Sequence, residues 1–69
     1  MRISARNVIA GTVKEIREGM INDEVVLLIP GGNEMVSVIT RASVERLGLK
    51  VGSKAYAVVK SSDVMLAVD

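Results

Sequence analysis

Two stretches of this chain, Val25-Val26-Leu27-Leu28-Ile29 and Val64-Met65-Leu66-Ala67-Val68, are apolar at every position, and Met35-Val36-Ser37-Val38-Ile39 is nearly so. Side chains of a strand alternate between two faces, so a run without alternation needs cover on both. A chain of 69 residues makes one small domain, spanning residues 1–69, and buries only about 60% of the surface it exposes unfolded. Ordering it costs roughly 1.5 kcal/mol per residue, on the order of 100 kcal/mol in all. Natural chains of this size recruit disulfides, a structural metal or identical partners. The absence of Cys and His closes off the first two. Other copies of the same chain are therefore expected to cover these strands.

Gly, Pro, Asn and Asp punctuate the sequence into five candidate strands: Asn7 to Arg17, Glu24 to Ile29, Glu34 to Ile39, Lys54 to Lys60 and Val64 to Val68. The turn clusters Gly19 to Asp23, Pro30 to Asn33 and Ser61 to Asp63 are too short for a parallel crossover, so neighbouring strands should run antiparallel. Ile9, Gly11 and Val13 share one parity, and Ile16 falls on the other, which predicts a bulge near Lys14. One segment has a different period. Thr40 to Leu49 places Val44 and Leu47 at i, i+3 behind a hydroxyl and ahead of a glycine, which reads as a two-turn helix. Thr40 is the expected N-cap, with Gly48 in the left-handed position and Leu49 folding back on Val44. The fold class is all-β with one short helix: an OB-like five-stranded antiparallel barrel or half-barrel, assembled as an oligomer.

The same residues trim the chemistry. Without Cys or His there is no thiolate nucleophile, imidazole base or ordinary transition-metal site, so an enzyme is not expected. A net charge of +1 gives no long-range field for nucleic acid or an anionic membrane. With Tyr56 the single aromatic residue, single-stranded nucleic acid has no stacking platform. The apolar run Val25 to Pro30 is far short of the ~20 residues of a membrane span, and Met1 to Asn7 has no signal-like apolar region, so a cytoplasmic location is expected.

Four features suit an oxyanion. In extended chain Ser4 and Arg6 project from one face, setting a hydroxyl beside a guanidinium fork. Lys60 and Ser61, between the last two strands, bring a point charge, a hydroxyl and turn amides. Thr40 and Ser43 flank the first-turn amides of the helix. Each taken alone is what ordinary solvated, turn or cap residues look like. The fourth feature is an absence: no carboxylate lies within Ser4 to Asn7, Lys60 to Ser62 or Met35 to Val44. Segments that only donate hydrogen bonds serve an ionised oxyanion and not a metal cation.

Ser4-Ala5-Arg6-Asn7, Ile39-Thr40-Arg41-Ala42-Ser43-Val44 leading into Leu47-Gly48-Leu49, and Val59-Lys60-Ser61-Ser62-Asp63-Val64-Met65-Leu66-Ala67 together resemble the molbindin (Mop) family of small molybdate-binding proteins, across essentially the whole chain. The resemblance implies an OB-like subunit in a homo-oligomer, a hexamer built as a trimer of dimers. It also implies molybdate or tungstate bound at subunit interfaces as an intracellular store, with no further cofactor. Carried over by position, the main pocket would fall on Ser4, Arg6, Lys60 and Ser61 of one subunit, with Thr40 and Ser43 from a neighbour. A second class of site near the threefold axis also belongs to the resemblance, and Gly19 to Asp23 is the loop to inspect for it. Two other readings compete: a purely structural oligomerisation domain, and an OB-type nucleic-acid module.

Overall fold

A computed structural model describes all residues from Met1 to Asp69. Four strands, β1 (Asn7–Glu18), β2 (Asn22–Leu28), β3 (Glu34–Thr40) and β4 (Lys54–Val59), form one antiparallel sheet in the order β3-β2-β1-β4. A helix, α1 (Arg41–Arg46), follows β3, and a single 3-10 turn, η1 (Ser61–Asp63), follows β4. The long β1 is shared: its first half pairs with β4 from Asn7↔Val59 to Thr12↔Lys54, and its second half with β2 from Thr12↔Leu28 to Glu18↔Asp23. The predicted bulge is present, because the register with β2 skips Lys14 between Val13 and Glu15. That extra residue returns Ile16, paired with Val25, to the face already occupied by Val13. The core is correspondingly small: Val13, Val25, Leu27 and Val44, with Ile16, Met35, Ile39 and Leu49 among the side chains packed around it.

The helix forms where the period changed, and both its ends are closed locally. Thr40, extended at φ −68° and ψ 150°, accepts the Ser43 N–H at 3.1 Å through its Oγ1. At the other end the Leu49 N–H donates to the Val44 carbonyl and the Gly48 N–H to the Glu45 carbonyl, both at 3.0 Å, the two bonds of a Schellman closure. Gly48 sits at φ +65°. A side chain there would meet no neighbouring atom within 4 Å, so Gly48→Ala is expected to cost backbone strain alone, about 1 kcal/mol. Thermal denaturation should register that as a fall of about 4–8 °C in Tm.

The expected fifth strand is not one in this structure. Val64 to Asp69 lies outside the sheet and pairs with nothing, leaving four strands and no closed barrel. Met65, Leu66 and Val68 are 93%, 93% and 97% exposed. Apolarity at both parities reports that a segment needs cover, not which chain provides it. An unclosed sheet has two free edges, here β3 and β4. Between them runs an apolar groove of about 550 Å³, with Val25 and Leu27 in its lining together with residues from β3 and β4, and none from the tail.

On the outward face the apolar side chains Val36, Val38, Tyr56 and Val58 are exposed. Ion pairs interrupt them: Lys14 with Glu34, Arg17 with Glu15 at 3.0 Å, and Arg17 with Glu24 at 3.5 Å. Hydrogen bonding to Glu34 first, and its charge second, hold the Lys14 ammonium above its ordinary pKa, and Glu15 does the same for Arg17. These pairs are solvent-screened and contribute little to stability. The accessible surface totals 5707 Å², against about 4,200 Å² for a compact monomer of this mass. The radius of gyration, 12.7 Å, likewise exceeds the roughly 11 Å of a compact chain of this length.

Candidate oxyanion site

Ser4 and Arg6 immediately precede β1, and Lys60 and Ser61 immediately follow β4. Because Asn7 is registered opposite Val59, the antiparallel ladder brings Arg6 and Lys60 to the same end of the sheet, one residue beyond the last pair. All four side chains are exposed. Neither cation is in an ion pair, and no hydrogen bond within the chain occupies either head group. The topology thus sets two uncompensated positive charges at one end of the sheet, with Ser4 and Ser61 in the segments that adjoin them, an arrangement that attracts an anion.

Thr40 and Ser43 lie elsewhere. Thr40 ends β3 opposite Asn22, at the hairpin end of β1 where Glu18 faces Asp23. In the sheet the two groups lie at opposite ends of the twelve-residue β1. One copy of the chain therefore brings Ser4, Arg6, Lys60 and Ser61 together and does not bring Thr40 and Ser43 to them.

The helix head also has fewer free donors than its sequence implies. The Ser43 amide is taken by Thr40 Oγ1, and the Arg41 amide donates to the Ile21 carbonyl at 2.9 Å. Of the first-turn amides that lack an intrahelical acceptor, Ala42 is the one these contacts leave free. Thr40 Oγ1 donates to Ser43 Oγ at 2.8 Å, so the Ser43 hydroxyl proton remains available for an outside acceptor.

Sequence reasoning missed what fastens this helix head. Asp23 is a buried carboxylate, 2% exposed, accepting from the Gly19 N–H at 3.2 Å and from Arg41 Nε at 3.4 Å. The Arg41 guanidinium also donates to the Gly19 carbonyl and lies 3.8 Å from Glu18. Arg41 therefore pins α1 to the β1–β2 turn, and together with Asp23 it engages both backbone polar groups of Gly19, Arg41 the carbonyl and Asp23 the N–H, in the loop flagged for a second site. No local signal links positions 23 and 41, since an Asp beside Asn in a turn cluster already has an ordinary explanation. Arg41→Ala leaves the Asp23 carboxylate buried with one backbone donor, at an expected cost of about 2 kcal/mol. Urea denaturation should show it as a lowered midpoint, partly restored in the Asp23→Ala, Arg41→Ala double variant.

Nowhere do three or more Asp, Glu, His or Cys side chains gather as a cation site would require. The groups brought together are proton donors, suited to an oxyanion.

Comparison with known proteins agrees in extent and in kind. Residues 3–66 match the TOBE domain family. The chain is 52% identical over 66 residues to molybdenum-pterin-binding protein 1 of Clostridium pasteurianum, covering 96% of this chain and 97% of that one. Its structure superposes on MopII from Clostridium pasteurianum with a TM-score of 0.91, at 49% identity, over 97% of this chain and all of that one. It superposes on a molybdate-bound crystal structure of ModG, described as a cytoplasmic molybdate-binding protein, with a TM-score of 0.95 at 49% identity, covering 100% of this chain and 49% of ModG. The match takes in the sheet, the helix and both groups of candidate residues, and the chain accordingly belongs to the molbindin (Mop) family of TOBE domains.

Proposed function

We propose that this protein binds molybdate or tungstate as a cytoplasmic oxyanion store, working as a hexamer arranged as a trimer of dimers. The anion sits between copies, held by Ser4, Arg6, Lys60 and Ser61 of one and by Thr40 and Ser43 of a neighbour. The observation that carries this reading is the pair of unpartnered cations, Arg6 and Lys60, at the β1–β4 end, with the remaining donors a whole strand-length away. A pocket using all six residues has to be built from two chains. The molybdate-bound state of ModG and the name of the Clostridium relative support the same ligand class.

The chemistry follows from the donor set. A tetrahedral dianion brings two negative charges to two cations and accepts hydrogen bonds from the hydroxyls and turn amides around it. Phosphate carries protons near neutral pH that only the hydroxyl oxygens of this carboxylate-free pocket could accept, which disfavours it, whereas sulfate has to be excluded by the size of the cavity. In the empty assembly the two cations repel one another, so filling the pocket stabilises the assembled state.

Assembly itself has support in the surface. The chain exposes roughly 1,500 Å² more than a compact monomer would, and its apolar tail and apolar groove complement each other. A strand of five residues is about 17 Å long, comparable to the six-residue β4 edge. Val64 to Val68 of one copy can therefore lie along the groove of another and add the fifth strand. No specific observation favours the nucleic-acid or purely structural reading.

One native mass spectrum with and without molybdate tests the proposal, through the mass of the assembly and the number of anions it retains. Hexamers carrying anions at micromolar molybdate are the expected result, and a monomer that retains none ends the reading. At a hundredfold excess over Kd, binding should add about 2.7 kcal/mol to stability. A rise in Tm with molybdate or tungstate and none with chloride is the corresponding thermal result.

A further inference from the structure

Resting on that reading of the site, we propose that the bound oxyanion is also a latch on the exchange of subunits, acting through the η1 turn. Lys60 is the residue that caps η1, and Ser61 is its first residue. The same turn is the whole connection between β4 and the tail from Val64 onward. Half of the anion's ligands on this copy are thus the hinge on which the tail swings.

The chain by itself holds that hinge weakly. η1 has two backbone hydrogen bonds, from the Asp63 N–H to the Lys60 carbonyl at 2.9 Å and from the Val64 N–H to the Ser61 carbonyl at 3.4 Å. It has no side-chain cap, and it buries no residue. Nothing in one copy ties Lys60 or Ser61 to the start of β1, although Arg6 is beside them. An oxyanion accepting from Arg6, Lys60 and Ser61 together supplies that tie. For a tail to leave a neighbour's groove the turn must rotate, and rotation of Lys60 and Ser61 breaks their bonds to the anion. Dissociation of a tail and loss of the anion become one event, so an occupied assembly exchanges subunits slowly and an empty one quickly.

The experiment mixes nitrogen-15-labelled and unlabelled protein and follows mixed hexamers by native mass spectrometry, with sodium molybdate or with sodium chloride. Mixing should slow at least tenfold with molybdate. A variant with Gly-Gly inserted between Asp63 and Val64 keeps all six anion ligands but lets the tail move without turning Lys60. It should bind molybdate by calorimetry and lose the slowing. In the unaltered chain, hydrogen exchange of the Asp63 and Val64 amides should also slow at least tenfold with molybdate. Binding without slower mixing, equal slowing in the insertion variant, or unchanged exchange of those two amides overturns the latch and leaves the binding site standing. Absence of binding by calorimetry overturns both.

Discussion

Ending the chain at Asp63 is expected to yield a monomer that no longer retains molybdate. The six residues removed make no contribution to the core of their own copy, and Met65, Leu66 and Val68 are almost wholly exposed there. Burying three such side chains contributes about 5–9 kcal/mol per tail. Losing that amount at every tail leaves nothing comparable to hold copies together. The four-stranded sheet, its bulge and its capped helix depend on none of these residues, so the truncated chain should keep its far-ultraviolet circular dichroism spectrum, though with less stability. It also keeps Ser4, Arg6, Lys60 and Ser61, so loss of binding would identify the neighbour's contribution as essential. Analytical ultracentrifugation and calorimetry on the same sample give the answer. A truncated protein that still sediments as a hexamer rules out the tail as the join.

Replacing Arg6 with Ala separates binding from assembly in the opposite way. The side chain is exposed and has no partner within the chain, so its loss should leave fold and sedimentation unchanged. A charge-assisted hydrogen bond of about 1.5–3 kcal/mol is removed, weakening molybdate binding by one to two orders of magnitude. Arg6→Lys keeps the charge and loses the planar fork, and should fall between. Thr40→Ala behaves differently from both because Thr40 caps α1. It should lose about 1 kcal/mol of stability together with affinity. Unchanged affinity in Arg6→Ala, measured by calorimetry, removes the pocket as drawn.

Which parts of the molecule could be foreseen follows from the range of the interactions involved. The Lys14 bulge was legible because parity is a property of neighbouring residues along one strand. The helix from Thr40 to Gly48 was legible because a hydroxyl, an i, i+3 apolar pair and a left-handed glycine act within ten residues of one another. The candidate donors were legible by type, since the absence of carboxylates around them needs no coordinates. The fifth strand is absent from the single chain for the complementary reason: Val64 to Val68 has the composition of a covered strand, and in one copy nothing covers it. The Asp23–Arg41 pair spans 18 residues and two elements, and the bond from the Arg41 amide to the Ile21 carbonyl likewise joins segments about twenty positions apart.

The sequence by itself determined the chemical character of this protein: a cysteine- and histidine-free chain of short strands, one capped helix, and donor-only segments suited to an oxyanion. Tertiary structure alone decided where those segments lie. The register of β1 with β4 joins residues about fifty positions apart and sets Arg6 beside Lys60, while the β2–β3 register carries Thr40 to the far end of the sheet. Strand registers arise from the packing of a shared core around Val13 and not from any local propensity, so the placement of the candidate donors at two ends of the sheet, which the sequence carried only through a resemblance, became an observation only in three dimensions.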